Sequence, residues 1–233
     1  MKLFEILNKT SPNIKSTNKP VDTNKLFNKH NIPFSQGFQA TTTQHNKFPN
    51  SITKHINIHN TNDPQYQFIK LALKHQNNPF FPKIFSAKLY NNPNPSYIDD
   101  NNISPQQPGF NKVLIITMEK LFPIHINQQT LIDFNIHNIF TTDHNKPWTN
   151  QPHIQFRRAF NDPNIRKHIQ HSTNNKFLKQ ALRLLEPLFN HYDPDVHQDN
   201  IMQRLNNHFV FIDPISHKEH DLPQDYKKWM NIP

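Results

Sequence analysis

Two glycines in 233 residues leave this chain almost no freely rotating backbone positions. Glycine enters left-handed backbone without steric penalty, and an ordinary domain uses it at many turns and helix ends. Asparagine is the best substitute among residues with a side chain, and it is abundant here. The sequence therefore predicts a fold in which Asn stands where turns would normally take Gly. Low Gly, Glu and Cys beside high Asn, Lys and Ile look like biased codon usage rather than a functional choice.

Apolar residues make up 34% of the chain and mean hydropathy is −0.83, values that would suit disorder if aromatics were scarce. They are not scarce: 19 Phe, 5 Tyr and 2 Trp predict a folded protein with long polar loops. The length fits one large domain or two lobes. A formal charge of +9, from 26 basic and 17 acidic residues, suits a polyanion such as nucleotide phosphate, nucleic acid or an acidic lipid surface. The Lys and Arg residues are scattered, however, so a generally basic surface is expected rather than a dedicated nucleic-acid site. The absence of Cys excludes disulfides, thiolate zinc sites and thiol catalysis, and no set of His residues reads as a zinc site. No apolar run approaches membrane-spanning length, and Met1 to Leu7 turns polar too quickly for a signal peptide. A cytoplasm is the expected setting, with no membrane partner.

Residues 1–32 read as a polar N-terminal extension with short helices at 2–8 and 22–29. Runs of Thr and β-branched residues predict strands over 38–43 and 51–58. Asp63-Pro64 then opens a helix reaching Gln76. Asp is a good N-cap, Pro suits the first turn, and Tyr66, Phe68, Ile69, Ala72 and Leu73 form an apolar face. Strands are predicted at 84–90 and 112–118, around a Pro- and Asn-rich insertion at 91–111. After 119 the pattern turns helical, with helices over 131–140 and 175–192 and a polar loop at 141–153. Pro187 is expected to kink the second helix or end its regular part.

The residues that carry chemistry lie just beyond that helix, in Asp195-Val-His-Gln-Asp-Asn200-Ile-Met202 and Phe209-Val-Phe-Ile-Asp213-Pro214. An acid, an Asn five residues later, and an apolar strand ending in a second acid 13 residues beyond the Asn is the order that phosphoryl transfer from a Mg-nucleotide needs. One carboxylate positions and deprotonates an acceptor hydroxyl. An amide oxygen and a second carboxylate hold the metal that bridges the phosphates.

On these residues, with weaker matches at Asp63-Pro-Gln-Tyr-Gln-Phe-Ile69 and Asn78-Pro-Phe-Phe-Pro-Lys83-Ile84, the chain resembles the protein-kinase-like superfamily. It is most similar to the small protein kinases of T7-type bacteriophages and related uncharacterised bacterial and phage proteins. The resemblance covers roughly residues 33–216. It implies an α+β, two-lobed fold. A small lobe of antiparallel sheet would span 33–118, and a reduced, mainly helical large lobe 119–233.

The resemblance also implies ATP and Mg²⁺. Asp195 takes the place of the acid that begins the catalytic loop, and Asn200 and Asp213 match the metal ligands. Lys54 is the candidate for the lysine that pairs with the α- and β-phosphates, and Gly37 the only glycine available to a phosphate-covering loop. Glu119-Lys120-Leu121 falls where adenine would meet the hinge backbone. Asp193 stands where typical kinases carry a His, and Pro214-Ile215 follows the metal-binding acid as in the phage group. His197 is expected to pack behind the loop and hydrogen-bond backbone.

The implied reaction is transfer of the ATP γ-phosphate to a hydroxyl, of a protein Ser or Thr or of a small molecule. Two departures motivate a second reading, a pseudokinase that binds a nucleotide or partner without transfer. The phosphate loop would have one glycine instead of three. The helix after Asp63 carries Gln65 and Gln67 in place of the carboxylate expected to pair with Lys54.

Overall fold

The structure, a computed structural model, describes residues 14–17, 31–36, 40–45, 49–91, 112–136 and 151–218. It is an α+β arrangement whose described residues divide into two units: those up to residue 74 together with 83–91 and 112–120, and residues 75–82 together with 121–136 and 151–218. Segments predicted at 2–8 and 22–29, and nearly all of the insertion at 91–111, lie outside the described residues.

The first unit is built on six strands: β1 (Lys15–Thr17), β2 (Asn31–Gln36), β3 (Ala40–His45), β4 (Ser51–Ile58), β5 (Ile84–Asn91) and β6 (Lys112–Glu119). They form one sheet in the order β1-β5-β6-β4-β3-β2, antiparallel throughout except for β1, which runs parallel to β5. The pleat places Ile56, Ile58, Leu114, Ile116, Met118, Ala87 and Leu89 on one face, all buried. Helix α1 (Pro64–Lys74) follows β4 and buries Phe68, Ile69, Ala72 and Leu73. Asp63 caps it as expected, its Oδ1 accepting the Gln65 N–H at 3.0 Å.

Three details differ from the sequence reading. The strand predicted at 38–43 runs two residues later, and α1 stops at Lys74. Strand β2, with Pro33, is an addition; it is the sheet's edge, where a residue without an N–H interrupts no inner ladder, and its register shifts between Pro33 and Ser35. Residues 15–17, expected within a polar extension, pair with β5 at the other edge.

The second unit contains β7 (Phe122–Pro123), α2 (Gln128–Asp133), α3 (Pro152–Asn161), α4 (Pro163–Ser172), α5 (Lys176–His191), β8 (Asp193–Pro194), β9 (Ile201–Gln203), β10 (Phe209–Phe211) and β11 (Ile215–Ser216). Helix α2 corrects the expectation of a helix over 131–140. It starts earlier because Asn127 and Thr130 make a reciprocal capping box, and it ends early because Asn135 adopts φ 60°. Residues 137–140 lie outside the described set.

Helices α3 and α4 occupy a stretch where no helix was predicted. Each begins on a Pro, and Asp162 caps α4 by accepting the Asn164 and Ile165 N–H groups at 2.8 and 3.2 Å. Helix α5 matches its prediction, capped by Asn175. Pro187, expected to kink it or end its regular part, does not end it: the helix continues through Pro187 to His191. The proline removes a single helical hydrogen bond, while Leu185 and Phe189 on either side of it stay buried.

Aromatic packing holds this unit together. The Phe134 ring centroid lies 5.1 Å from Phe156, 5.5 Å from Phe160 and 5.0 Å from Phe209. Buried Arg166 on α4 ties the helices: Nη1 donates to Phe160 O at 2.6 Å, Nε lies 3.8 Å from Glu186 Oε2, and the guanidinium sits 4.5 Å from the Phe189 ring centre. The segment 75–82 joins the same unit through its backbone. Phe80 O accepts the Phe211 N–H at 2.9 Å, and Arg204 donates to the Pro79 and Phe81 carbonyls.

Among the described residues, the non-glycine positions with positive φ are Asn135 and Asn207, at 60° and 59°. Asparagine thus takes the left-handed turns, as the glycine count predicted. No described helix is long and apolar enough to cross a membrane.

Candidate active site

The sequence between α5 and β9 cannot continue as helix. Tyr192 turns extended while its N–H closes the last turn on Leu188 O at 2.8 Å, and Pro194 disfavours a helical Asp193. Asp193 and Pro194 pair instead with Ser216 and Ile215. The loop that follows is anchored at its second residue, Val196, which is fully buried. A short 3-10 turn, Gln198–Asn200, then delivers the chain into β9.

Strands β9 and β10 form a hairpin that brings residue 213 back to this loop. Its register pairs Ile201 with Phe211, Met202 with Val210 and Gln203 with Phe209. The turn is closed by Arg204 N–H to His208 O and Asn207 N–H to Arg204 O, both 2.9 Å. Two backbone bonds then bracket Asp213. Ile212 N–H donates to Asn200 O at 3.0 Å, and Asp195 N–H donates to Pro214 O at 2.9 Å. The residues before and after Asp213 are thereby fixed to the residues that begin and end the loop.

Within the loop, Asn200 Nδ2 donates to the Asp195 carbonyl at 2.7 Å and to Asp195 Oδ2 at 3.1 Å. It also lies 2.9 Å from His197 Nε2, which is 3.4 Å from Asp195 Oδ1. His197 Nδ1 is 3.3 Å from the Asp199 N–H, the backbone contact expected of it. Side-chain exposure is graded: Asp195 at 33% and His197 at 29% are partly covered, whereas Asp199 at 80% faces solvent. Asp213 is half-buried.

This geometry leaves oxygen donors. The Asn200 amide nitrogen is engaged by Asp195 and His197, so its Oδ1 is the atom directed elsewhere. Asp213 supplies a carboxylate one residue beyond Ile212, whose N–H is bonded to Asn200 O. Amide and carboxylate oxygens suit a hard divalent cation such as Mg²⁺, so the residues present fit the implied metal. Among the described residues, no group of three or more His, Asp or Glu side chains is placed to hold a metal.

Of the other predicted residues, Lys54 lies on β4, paired with Thr42 and Ile116. Its side chain shares the pleat face of Ile56, Ile58 and Ile116 and is half-buried. Gly37 falls in the β2–β3 connection and lies outside the described residues. The Glu119 and Lys120 N–H groups are engaged by Lys83 O and Asn50 O, each at 2.9 Å. Glu119 Oε1 in turn accepts the Lys83 N–H at 2.8 Å. Sequence reasoning missed the double contact of His197 with both site side chains. Its spacing, two residues after the acid and three before the Asn, was the available signal.

No protein-family model matches the chain, and no curated protein matches it. Among solved structures it is similar to an aminoglycoside phosphotransferase from Alicyclobacillus acidocaldarius subsp. acidocaldarius, at 12% identity over 84% of this chain and 67% of that one, with a TM-score of 0.30. A likeness of that size assigns neither fold nor chemistry to this chain.

Proposed function

We propose that this chain is a kinase-like phosphotransferase that moves the γ-phosphate of ATP to a hydroxyl, with a Ser or Thr of a protein as the favoured acceptor. The observation that carries the reading is the closure of the catalytic loop: Asn200 held to Asp195 by its amide nitrogen, with Asp213 bracketed by bonds to Asn200 and Asp195. Asp195, one-third exposed, orients the acceptor hydroxyl and takes its proton. Asn200 Oδ1 and the Asp213 carboxylate hold the cation. Bound there together with the nucleotide phosphates, Mg²⁺ supplies neutralisation of the charge on the transferring group. Lys54 serves the α- and β-phosphates, and its place on an inner strand of the sheet suits that task. Loops decide the acceptor, and a small-molecule hydroxyl is the alternative within the same reaction class.

The test is thermal unfolding with and without Mg-ATP. The wild-type chain is expected to gain several degrees in Tm, dependent on Mg²⁺. Asp213→Asn is expected to keep the fold and lose that shift. A wild-type chain with no shift at millimolar nucleotide overturns the proposal.

The pseudokinase reading is favoured by one feature of the first unit: helix α1 carries no Glu or Asp and so has no carboxylate to offer Lys54. Mg-ATP binding without transfer to any hydroxyl would select it.

A further inference from the structure

The value of Asn200 as a metal ligand depends on which way its amide points, and Asp195 and His197 set this together. Asn200 Nδ2 has two hydrogens and three neighbours able to accept them: Asp195 O at 2.7 Å, His197 Nε2 at 2.9 Å and Asp195 Oδ2 at 3.1 Å. A reversed amide would press Oδ1 against the Asp195 carbonyl and carboxylate, oxygens with no proton to share. The nitrogen therefore faces Asp195 and His197. Its donation to His197 requires a lone pair on Nε2, which places the ring proton on Nδ1.

The other tautomer has its own contacts. Nε2–H would donate to Asp195 Oδ1 across 3.4 Å, and Nδ1 would accept the Asp199 N–H at 3.3 Å. It would also set two donors against each other at 2.9 Å in a partly buried site. The Asp199 N–H is exposed, so water replaces that bond with little loss. An Nδ1–H ring also faces that N–H as a second donor at 3.3 Å, but at an exposed position where water can separate the two. The 2.9 Å contact at Nε2, by contrast, is partly buried. With the proton on Nδ1, the ring instead faces Asp199 Oδ2 at 3.6 Å.

We infer that His197 is a positioning residue for Asn200. Its Nδ1–H imidazole accepts the Asn200 amide at Nε2, holding the nitrogen inward and turning Oδ1 outward as a donor for a hard divalent cation. The cation half of this inference rests on the phosphotransfer reading; the tautomer rests on the loop geometry alone. His197 acts through Asn200, and its Nε2 also lies 3.4 Å from Oδ1 of Asp195, the proposed base. Outer partners of this kind typically change metal affinity by about 10- to 100-fold when removed.

The experiment has two readouts on the full chain. Long-range ¹⁵N–¹H correlation spectra report the ring tautomer, with the His197 signal identified by its loss in His197→Leu. Mn²⁺ titration in the presence of a non-hydrolysable ATP analogue, followed by electron paramagnetic resonance, reports cation affinity. The expected results are an Nδ1–H ring, about tenfold or more weaker Mn²⁺ binding in His197→Leu, and recovery to within about threefold in His197→Gln, whose amide oxygen can accept the Asn200 N–H. An Nε2–H ring overturns the inference, as does a His197→Leu protein with wild-type Mn²⁺ affinity. A wild-type protein with the Nδ1–H ring and no Mn²⁺–nucleotide binding overturns the phosphotransfer reading and the cation half with it.

Discussion

Asn200 reaches back across the loop to Asp195 with one amide group, its nitrogen 2.7 Å from the backbone carbonyl and 3.1 Å from the carboxylate. The two residues are therefore one unit, and the amide cannot be exchanged for a carboxylate of the same shape. Asn200→Asp would set oxygen against both Asp195 oxygens. We expect it to destabilise the protein by about 1–3 kcal/mol, the usual loss when a buried or half-buried partner is left unsatisfied. The Mg-ATP-dependent rise in Tm should also disappear, although an oxygen donor remains at position 200. Urea denaturation and thermal unfolding measure the two effects; a variant as stable and as responsive as wild type refutes the pairing.

Asp195 and Asp213 should separate by function. Asp195→Asn removes a base but no metal ligand, so turnover should fall by about 10²- to 10⁴-fold while the Mg-ATP-dependent rise in Tm persists. Asp213→Asn should lose both. Equal loss of nucleotide binding in the two variants would contradict the assigned roles.

Acid should weaken the fold through His55 on β4. Burial holds its pKa at about 4, below its ordinary 6.5. The unfolded chain takes up a proton there below about pH 6.5, and the folded chain only near 4, so stability is full above that window and declines as pH falls through it. The decline is at most about 3 kcal/mol. Burial, aided by Arg204, also lowers the pKa of His208, which adds in the same direction. Urea denaturation across this window measures the slope, and His55→Gln should flatten it. A slope unchanged in that variant would remove His55 as the cause.

Asn207 holds the β9–β10 turn at φ 59°. Asn207→Gly should be neutral or slightly stabilising, whereas Asn207→Val should cost about 1–2 kcal/mol, because a β-branched side chain clashes in left-handed backbone. Chemical denaturation ranks the three proteins. Equal stability of the Val variant would mean that the turn relaxes to another conformation.

Legibility in the sequence followed the range of the interaction. Asp63 was readable as a helix cap because a cap contacts amides only two or three residues away. The helices at 152–161 and 163–172 were missed despite a Pro at the start of each. Their exposed positions are mostly Arg, His, Lys and Asn, and their apolar residues gain meaning only once Phe156 and Phe160 meet Phe134. The same holds for the helix expected at 131–140, which a capping box drew forward and a left-handed Asn135 cut short.

By itself the sequence determined the local matters. It placed Asn in the left-handed turns, set α1, α5 and the strands β4, β5 and β6 to within a few residues, and spaced Asp195, Asn200 and Asp213 in the order a phosphoryl-transfer site needs. Tertiary structure alone decided the rest. Strands β1 and β2 exist because partner strands satisfy their backbones, and no local pattern contains that partner. Likewise, the bonds Ile212 to Asn200 and Asp195 to Pro214, and the grip of His197 on Asn200, arise only when the loop and hairpin close. Their atoms are brought within hydrogen-bonding reach by folding, which residue spacing in the linear chain does not encode.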